Sequence, residues 1–351
     1  KLEYHLLGNH LLENGFALLF GAYYFNDHAF YKKAKTILIL ELQEQVLGDG
    51  GHFERSPMYH CIMLYRVLDC YNLVHNSALF WNELEDILKE KAEAMVGWLE
   101  EVVYSDGQIP LLNDAAVGVA PTAKDLVEYA QRLGIFCNKK VRLKESGYRK
   151  VRLETFELFI DVGEVGPDYQ PGHAHADTFS FELYINGRPV IVDTGTSTYE
   201  VNNTRFYERS TAAHNTVVVC GQNSSQVWAG HRVARRARVQ ILCDEEERIA
   251  AVHDGYKRLG CLHTRKVEKV GKYIRITDEV DREGTAYLHF MPKEDIVLEG
   301  NRLLGSDYCI EFGGAREIEP FTSMCASEFN KREERRSFRI SFDRRLETII
   351  Q

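Results

Sequence analysis

The feature that most constrains this chain is a change of period at about Lys144. Before that point apolar residues recur at helical spacing, and after it they alternate. Leu6, Leu7, His10, Leu11, Asn14, Leu18 and Leu19 predict a helix that runs to about Phe25. A second is predicted from Ala29 to Leu47, where Gly48-Asp49-Gly50-Gly51 breaks it. Ser56-Pro57 opens a third, Ser as cap and Pro in the first turn, running to about Leu73. A fourth is predicted from about Phe80 to Tyr104, and a fifth from Thr122 to Leu133. Short connections between successive helices predict stacked helical hairpins, as in an α/α barrel or solenoid.

Past Lys144 the pattern is that of strands. Tyr148 to Asp161 and Phe179 to Ile185 alternate, and Asn186-Gly187 is a two-residue hairpin turn into Pro189 to Val192. Short strands are predicted at Asn215 to Val219, Ala234 to Leu242, Ile249 to His253, Cys261 to Val270, Tyr273 to Glu279, Ala286 to Met291, Tyr308 to Phe312 and Ser337 to Phe342. Many strands with no intervening helix predict an antiparallel β-sandwich. The expected organisation is an α-helical domain over residues 1–140 and a β-sandwich domain over 145–351.

Composition narrows the partners. The net charge of -9 argues against nucleic acid or an anionic membrane surface. No apolar run approaches the roughly 18 residues of a transmembrane helix. Eight scattered cysteines form no CxxC pair, so free thiols are expected. The chain opens inside what reads as a helix, so an N-terminal portion is expected to be missing. Localisation is left open.

Chemistry concentrates in Gly172-His173-Ala174-His175-Ala176-Asp177 and the segments just downstream of it. Two histidines at i and i+2 on an extended segment would point the same way. Asp193 lies 18 residues beyond His175, and His214 lies in Arg209-Ser210-Thr211-Ala212-Ala213-His214-Asn215-Thr216. Histidines and a carboxylate converging from neighbouring strands suit a borderline cation such as zinc. His175, Asp193 and His214 are the candidate ligands, leaving His173 for chemistry.

These motifs, with His5-Leu6-Leu7-Gly8-Asn9-His10-Leu11-Leu12-Glu13-Asn14, Glu54-Arg55-Ser56-Pro57-Met58-Tyr59-His60 and Asp193-Thr194-Gly195-Thr196, resemble the hallmarks of the heparinase II/III-type polysaccharide lyases, in family order over nearly the whole chain. The resemblance implies an incomplete α/α toroid joined to antiparallel β-sheets, and β-elimination on a uronic-acid polysaccharide in the cleft between them. It implies Asn9 and His10 as donors to the substrate carboxylate, and Tyr59 and His173 as the acid–base pair. The metal, most simply Zn²⁺, would be structural, holding the loop that carries His173. An acidic polysaccharide or oligosaccharide is the expected partner, a substrate class that favours a periplasmic or secreted location. Arg55, Arg205 and Arg209 flank the motifs and could meet carboxylate or sulfate. Tyr199 and Tyr207 could stack on sugars. The run from His231 to Arg238 reads as a strand with a solvated charged face rather than a heparin patch. Gln226, Trp228 and His231 could form a loop near the cleft. Two other readings stay open: a non-catalytic glycan-binding or polysaccharide-assembly protein on the same fold, and a hydrolase with a catalytic metal.

Overall fold

The computed structural model describes residues 1–80 and 83–351. Five helices occupy its N-terminal part: α1 (Gly8–Phe25), α2 (His28–Gln45), α3 (Pro57–His75), α4 (Glu85–Val102) and α5 (Ala123–Arg132). Their starts have local causes. Asp27 caps α2 by accepting from the Ala29 and Phe30 amides. Ser56 caps α3 with Pro57 in its first turn, and Thr122 caps α5. Asn26, left-handed at φ 51°, ends α1 and lets α2 fold back against it. The fourth helix begins later than predicted, because Phe80 sits at φ 60°, outside the right-handed helical region. Trp81 and Asn82 of that predicted span lie outside the described residues. Among the described residues no helix is long and apolar enough to cross a membrane.

The strands come next. A four-stranded antiparallel sheet runs in order from β1 (Tyr148–Arg152) through β2 (Phe156–Asp161) and β3 (Phe181–Ile185) to β4 (Arg188–Ile191). A short helix, α6 (Asn203–Glu208), leads to β5 (Val217–Val219) and to a separate hairpin of β6 (Gln226–Trp228) and β7 (Arg232–Ala234). The large antiparallel sheet is built from β8 (Val239–Asp244), β9 (Arg248–His253), β10 (His263–Val270), β11 (Tyr273–Val280), β12 (Gly284–His289), β13 (Val297–Glu299), β14 (Arg302–Leu304), β15 (Cys309–Glu328) and β16 (Lys331–Ile350), with β5 joined to β12.

The small sheet is the middle layer. On β3, Phe181, Leu183 and Ile185 pack into the core shared with the large sheet. Tyr184 joins the helical core, along with Tyr148 of β1 and Phe159 of β2. Glu182 also turns towards the helices, where its carboxylate accepts from the Tyr104 hydroxyl at 2.9 Å. A strand buried on both sides therefore still alternates, between two cores rather than between core and water. Asn186 and Gly187 both take positive φ, as the two-residue turn requires. Two strand expectations needed correction. Tyr148 to Asp161 is a hairpin, not one strand. The last two strands are each 20 residues long, far beyond the predicted segments. Towards their shared turn Glu319, Thr322, Lys331, Arg332 and Glu334 meet water while Ser323 and Arg335 are buried, so no clear apolar alternation marks these stretches.

Candidate active site

Tyr59 lies in the first turn of α3, where the Ser56 hydroxyl accepts its backbone N–H at 3.2 Å. Arg55, at φ 59°, turns the chain into that cap and points its carbonyl at Asn113 Nδ2, 3.0 Å away, and at the Tyr148 hydroxyl. The Tyr59 ring lies over His173, centroid to centroid 3.8 Å, and its hydroxyl meets that of Tyr199 at 3.3 Å. Burial pushes the Tyr59 phenol up to about 12, so it is a neutral acid at physiological pH.

One carboxylate organises the histidines. Asp114 is fully buried and accepts from His173 Nδ1 at 3.0 Å on one oxygen and from His175 Nε2 at 2.8 Å on the other. Arg205, also fully buried, forks onto both oxygens, and Thr196 adds a hydroxyl at 3.2 Å. Burial alone would raise the Asp114 pKa, but Arg205 and the two histidines hold it well below the usual carboxylate range. Because an ionised carboxylate only accepts, His173 carries its proton on Nδ1 and presents Nε2, whereas His175 carries its proton on Nε2 and keeps Nδ1 bare. Backbone bonds fix the same pairing: Asp114 N–H donates to His173 O, and His175 N–H donates to Asn113 Oδ1. His173 Nε2 faces a second buried carboxylate, Glu54 Oε2, at 3.7 Å. Burial lowers the His173 pKa, yet the Asp114 bond and Glu54 outweigh it and leave it raised. The segment from Pro171 to Ser180 is irregular rather than extended, so it is Asp114, not strand alternation, that directs both rings.

The donors expected to hold a metal fit one in part. His175 Nδ1 and His214 Nε2 are buried without a hydrogen-bond partner, and the ring centroids are 5.3 Å apart. The opposite nitrogen of each ring is held by a carboxylate, Asp114 for His175 and Asp193 Oδ2 for His214 at 2.8 Å. A ligating imidazole is usually oriented in this way. Asp193 is fully buried and also receives the Gly195 amide and the Ser180 hydroxyl. A second set of donors lies closer together: Asp114, His173 and His231 offer ligand atoms all within 4.8 Å of one another, and such a triad could hold a metal.

The other candidates differ in how close they lie to this junction. Asn9 is in the first turn of α1, its Oδ1 buried and without a partner. His10 is half exposed, 3.6 Å from Glu3. Arg55 sends its guanidinium to the carbonyls of Glu164 and Glu145. Arg209 is buried and bonds the Ala174 carbonyl at 2.8 Å. Tyr199 stacks on His231 and lies under the Arg205 guanidinium. Tyr207 lines a different depression, with Thr204, Met324 and Arg332. The basic run is a strand only over Arg232–Ala234, and its Arg236 and Arg238 are tied to Asp168 and Glu164. Sequence reasoning misses Asp114 outright, because an Asp in a loop between helices carries no pattern. Glu54 lies inside one of the motifs, yet nothing in its spacing assigns it a role. All eight cysteines are free thiols, four of them buried.

A helical region packed on antiparallel sheets brings Tyr59, His173 and Asp114 together at its junction. Residues 138–351 match the family described as Heparinase II/III-like, C-terminal, and residues 1–142 match Heparinase II/III N-terminus. The chain belongs to the heparinase II/III-like family. It is 26% identical to a heparin-sulfate lyase of Bacteroides stercoris, over 84% of this chain and 47% of that one. With a heparin-sulfate lyase of Pedobacter heparinus it shares 23% identity, over 74% and 42%. The chain thus spans less than half the length of these curated relatives. A crystal structure of heparinase III superposes with a TM-score of 0.79 at 19% identity, covering 99% of this chain and 62% of that one. A chondroitinase AC lyase superposes at 0.54 and 10% identity, over 98% and 61%. At such identities these likenesses show the fold.

Proposed function

We propose that this chain is the catalytic part of a polysaccharide lyase that cleaves a 4-linked glycosidic bond beside a uronic acid by β-elimination. The observation that carries the reading is the Tyr59–His173 pair, stacked at 3.8 Å with the histidine's Nδ1 tied to Asp114. The chemistry needs three things. The uronate carboxylate must be relieved of charge so that the C5 proton becomes acidic. A base must remove that proton, and an acid must protonate the departing O4. Electrons from the C5–H bond then form the C4–C5 double bond as the C4–O4 bond breaks.

Asn9 and His10 are assigned to the carboxylate, and Tyr59 and His173 to the two proton transfers. Tyr59, neutral with its pKa near 12, suits the acid that protonates O4. His173 and Tyr59 exchange the role of base with the stereochemistry of the sugar, since syn and anti elimination place the C5 proton on opposite sides. His175, Asp193 and His214 would hold a divalent ion, most simply Zn²⁺, whose contribution is to fix the loop carrying His173. The substrate class is an acidic polysaccharide or oligosaccharide. The names of the relatives support heparan-type glycans, and the net charge of -9 leaves unsulfated uronates equally in play.

Incubation with heparan sulfate, heparosan, chondroitin, hyaluronan and alginate, followed by ultraviolet absorbance of the conjugated product, tests the reading. Tyr59→Phe should cut the rate at least about 100-fold without changing the melting temperature. An unaltered rate in that variant, or no unsaturated product from any glycan, refutes it.

A further inference from the structure

The hairpin β6–β7 stands apart from both sheets, and three observations tie it to the cleft. Its tip is latched by the two buried arginines that sequence alone made substrate contacts. Arg205 Nε donates to Gly230 O at 3.0 Å while its fork holds Asp114. Arg209 reaches the Trp228 and Arg232 carbonyls at 3.5 and 3.4 Å while it holds Ala174 O, between His173 and His175. The tip residues Ala229 and Gly230 take positive φ, which turns the chain tightly enough to present His231. His231 then stacks on Tyr199, centroids 5.6 Å apart, and meets His173 edge-on at 6.3 Å. His231 remains exposed.

The two faces of the hairpin differ. Val227 and Val233 pair across it, and Val233 packs on Val165, Ala174 and Ala237. Trp228 and Arg232 pair on the opposite face. Trp228 is 39% exposed, and Arg232 is exposed with no ion pair among the described residues. In this acidic protein an exposed guanidinium paired across the hairpin with a partly exposed indole, on the ribbon whose tip brings His231 to His173, is a combination suited to sugar rings that carry carboxylates.

We propose that the hairpin Gln226–Ala234 is a substrate-binding lip for uronic-acid oligosaccharides, with His231 hydrogen-bonding the sugar held against Tyr59 and His173, and Trp228 and Arg232 engaging the next unit. Arg205 and Arg209 are then positioning residues, holding the lip in register with the His173 loop. The inference deepens the lyase reading in naming further substrate contacts, but as a binding site it stands without catalysis.

The test uses calorimetry with hexasaccharides of heparosan, chondroitin, hyaluronan and alginate on the Tyr59→Phe protein, which would not consume them. His231→Ala, and separately the pair Trp228→Ala and Arg232→Ala, should weaken binding by about tenfold each, with melting temperature and bound metal unchanged. In the Tyr59-intact protein His231→Ala should raise KM by a similar factor. Binding within twofold of the parent in both sets overturns the lip, even if the wild type makes unsaturated product. Binding lost on these substitutions while the wild type makes no such product upholds the lip and refutes the lyase. Loss of bound zinc on His231→Ala overturns the assignment by making His231 a metal ligand, and binding of none of the four glycans overturns the lip together with the glycan reading.

Discussion

Asp114→Asn is the most informative single change, because it removes one charge and leaves the shape. Asp114 and Arg205 are both 0% exposed and face each other through a two-pronged contact. Removing one partner of a buried pair typically costs about 3 to 5 kcal/mol, because the other charge stays buried without compensation. Asn keeps one carbonyl oxygen for the guanidinium, so the lower figure applies, about 3 kcal/mol. Unfolding entropy scales at about 2.1 cal/mol/K per residue, or about 0.7 kcal/mol/K for a chain of this size. The melting temperature should therefore drop by about 4 °C, read by circular dichroism at pH 7. The double variant Asp114→Asn, Arg205→Met removes the stranded charge and should recover most of the loss. If the proposed chemistry holds, the single variant should also lose turnover by on the order of 100-fold, since the amide keeps one acceptor where two oxygens had fixed the tautomers of His173 and His175. A melting temperature within 1 °C of wild type, or a double variant less stable than the single, would refute the argument that the ion pair holds this junction together.

Three further outcomes rest on other parts of the structure. Gly50 lies at φ 88°, and a Cβ there would sit 2.1 Å from the Ala94 carbonyl oxygen. Gly50→Ala should cost at least about 2 kcal/mol in urea titrations, and a cost under 0.5 would show that the loop yields. His214→Ala should lower bound zinc from about one equivalent to below about a tenth, measured by plasma mass spectrometry after dialysis, and unchanged stoichiometry would remove His214 from the ligand set. Asp278, buried and bonded to His263 and to Arg265, has its pKa lowered to about 2: burial raises it, and Arg265 and His263 more than offset that. A depressed carboxylate stabilises the fold above its unfolded value near 3.8, and that stability is lost as pH falls towards 2. The contribution is about 2 kcal/mol. Between pH 4 and pH 2 the wild type should lose about that much more stability than Asp278→Asn, and parallel losses would rule the coupling out.

How much of the fold is legible in the sequence depends on the range of each interaction. Helix starts at Ser56-Pro57 and Thr122 and the Asn186-Gly187 turn are readable because a cap or a turn is made within a few residues. The order of helices then sheets is readable from the change of period. The outer halves of β15 and β16 are not, because their buried positions include Ser323, Arg335 and Ser337, which break the apolar rhythm. Tyr59 and His173 can be named from their motifs, but their stacking joins residues 114 positions apart. Asp114 is invisible for the same reason: its partners His173, His175, Thr196 and Arg205 all come from a region at least 59 residues further on.

The fate of the arginines carries the more general point. Arg205 and Arg209 sit beside the motifs, and arginine beside a glycan motif invites assignment to the ligand's charge. Burial changes what such a residue can do. A guanidinium with no exposure cannot meet a polymer arriving from solvent, but its five fixed donors can bond several carbonyls and a carboxylate at once. Arg205 spans Asp114 and the hairpin tip, and Arg209 spans the hairpin and the His173–His175 loop. Cationic charge for substrate must then come from exposed side chains nearby, and Arg232 meets that requirement on the hairpin the two arginines hold. In the proposed site the buried cations fix the geometry, and Arg232, exposed on the hairpin, is left to meet the substrate.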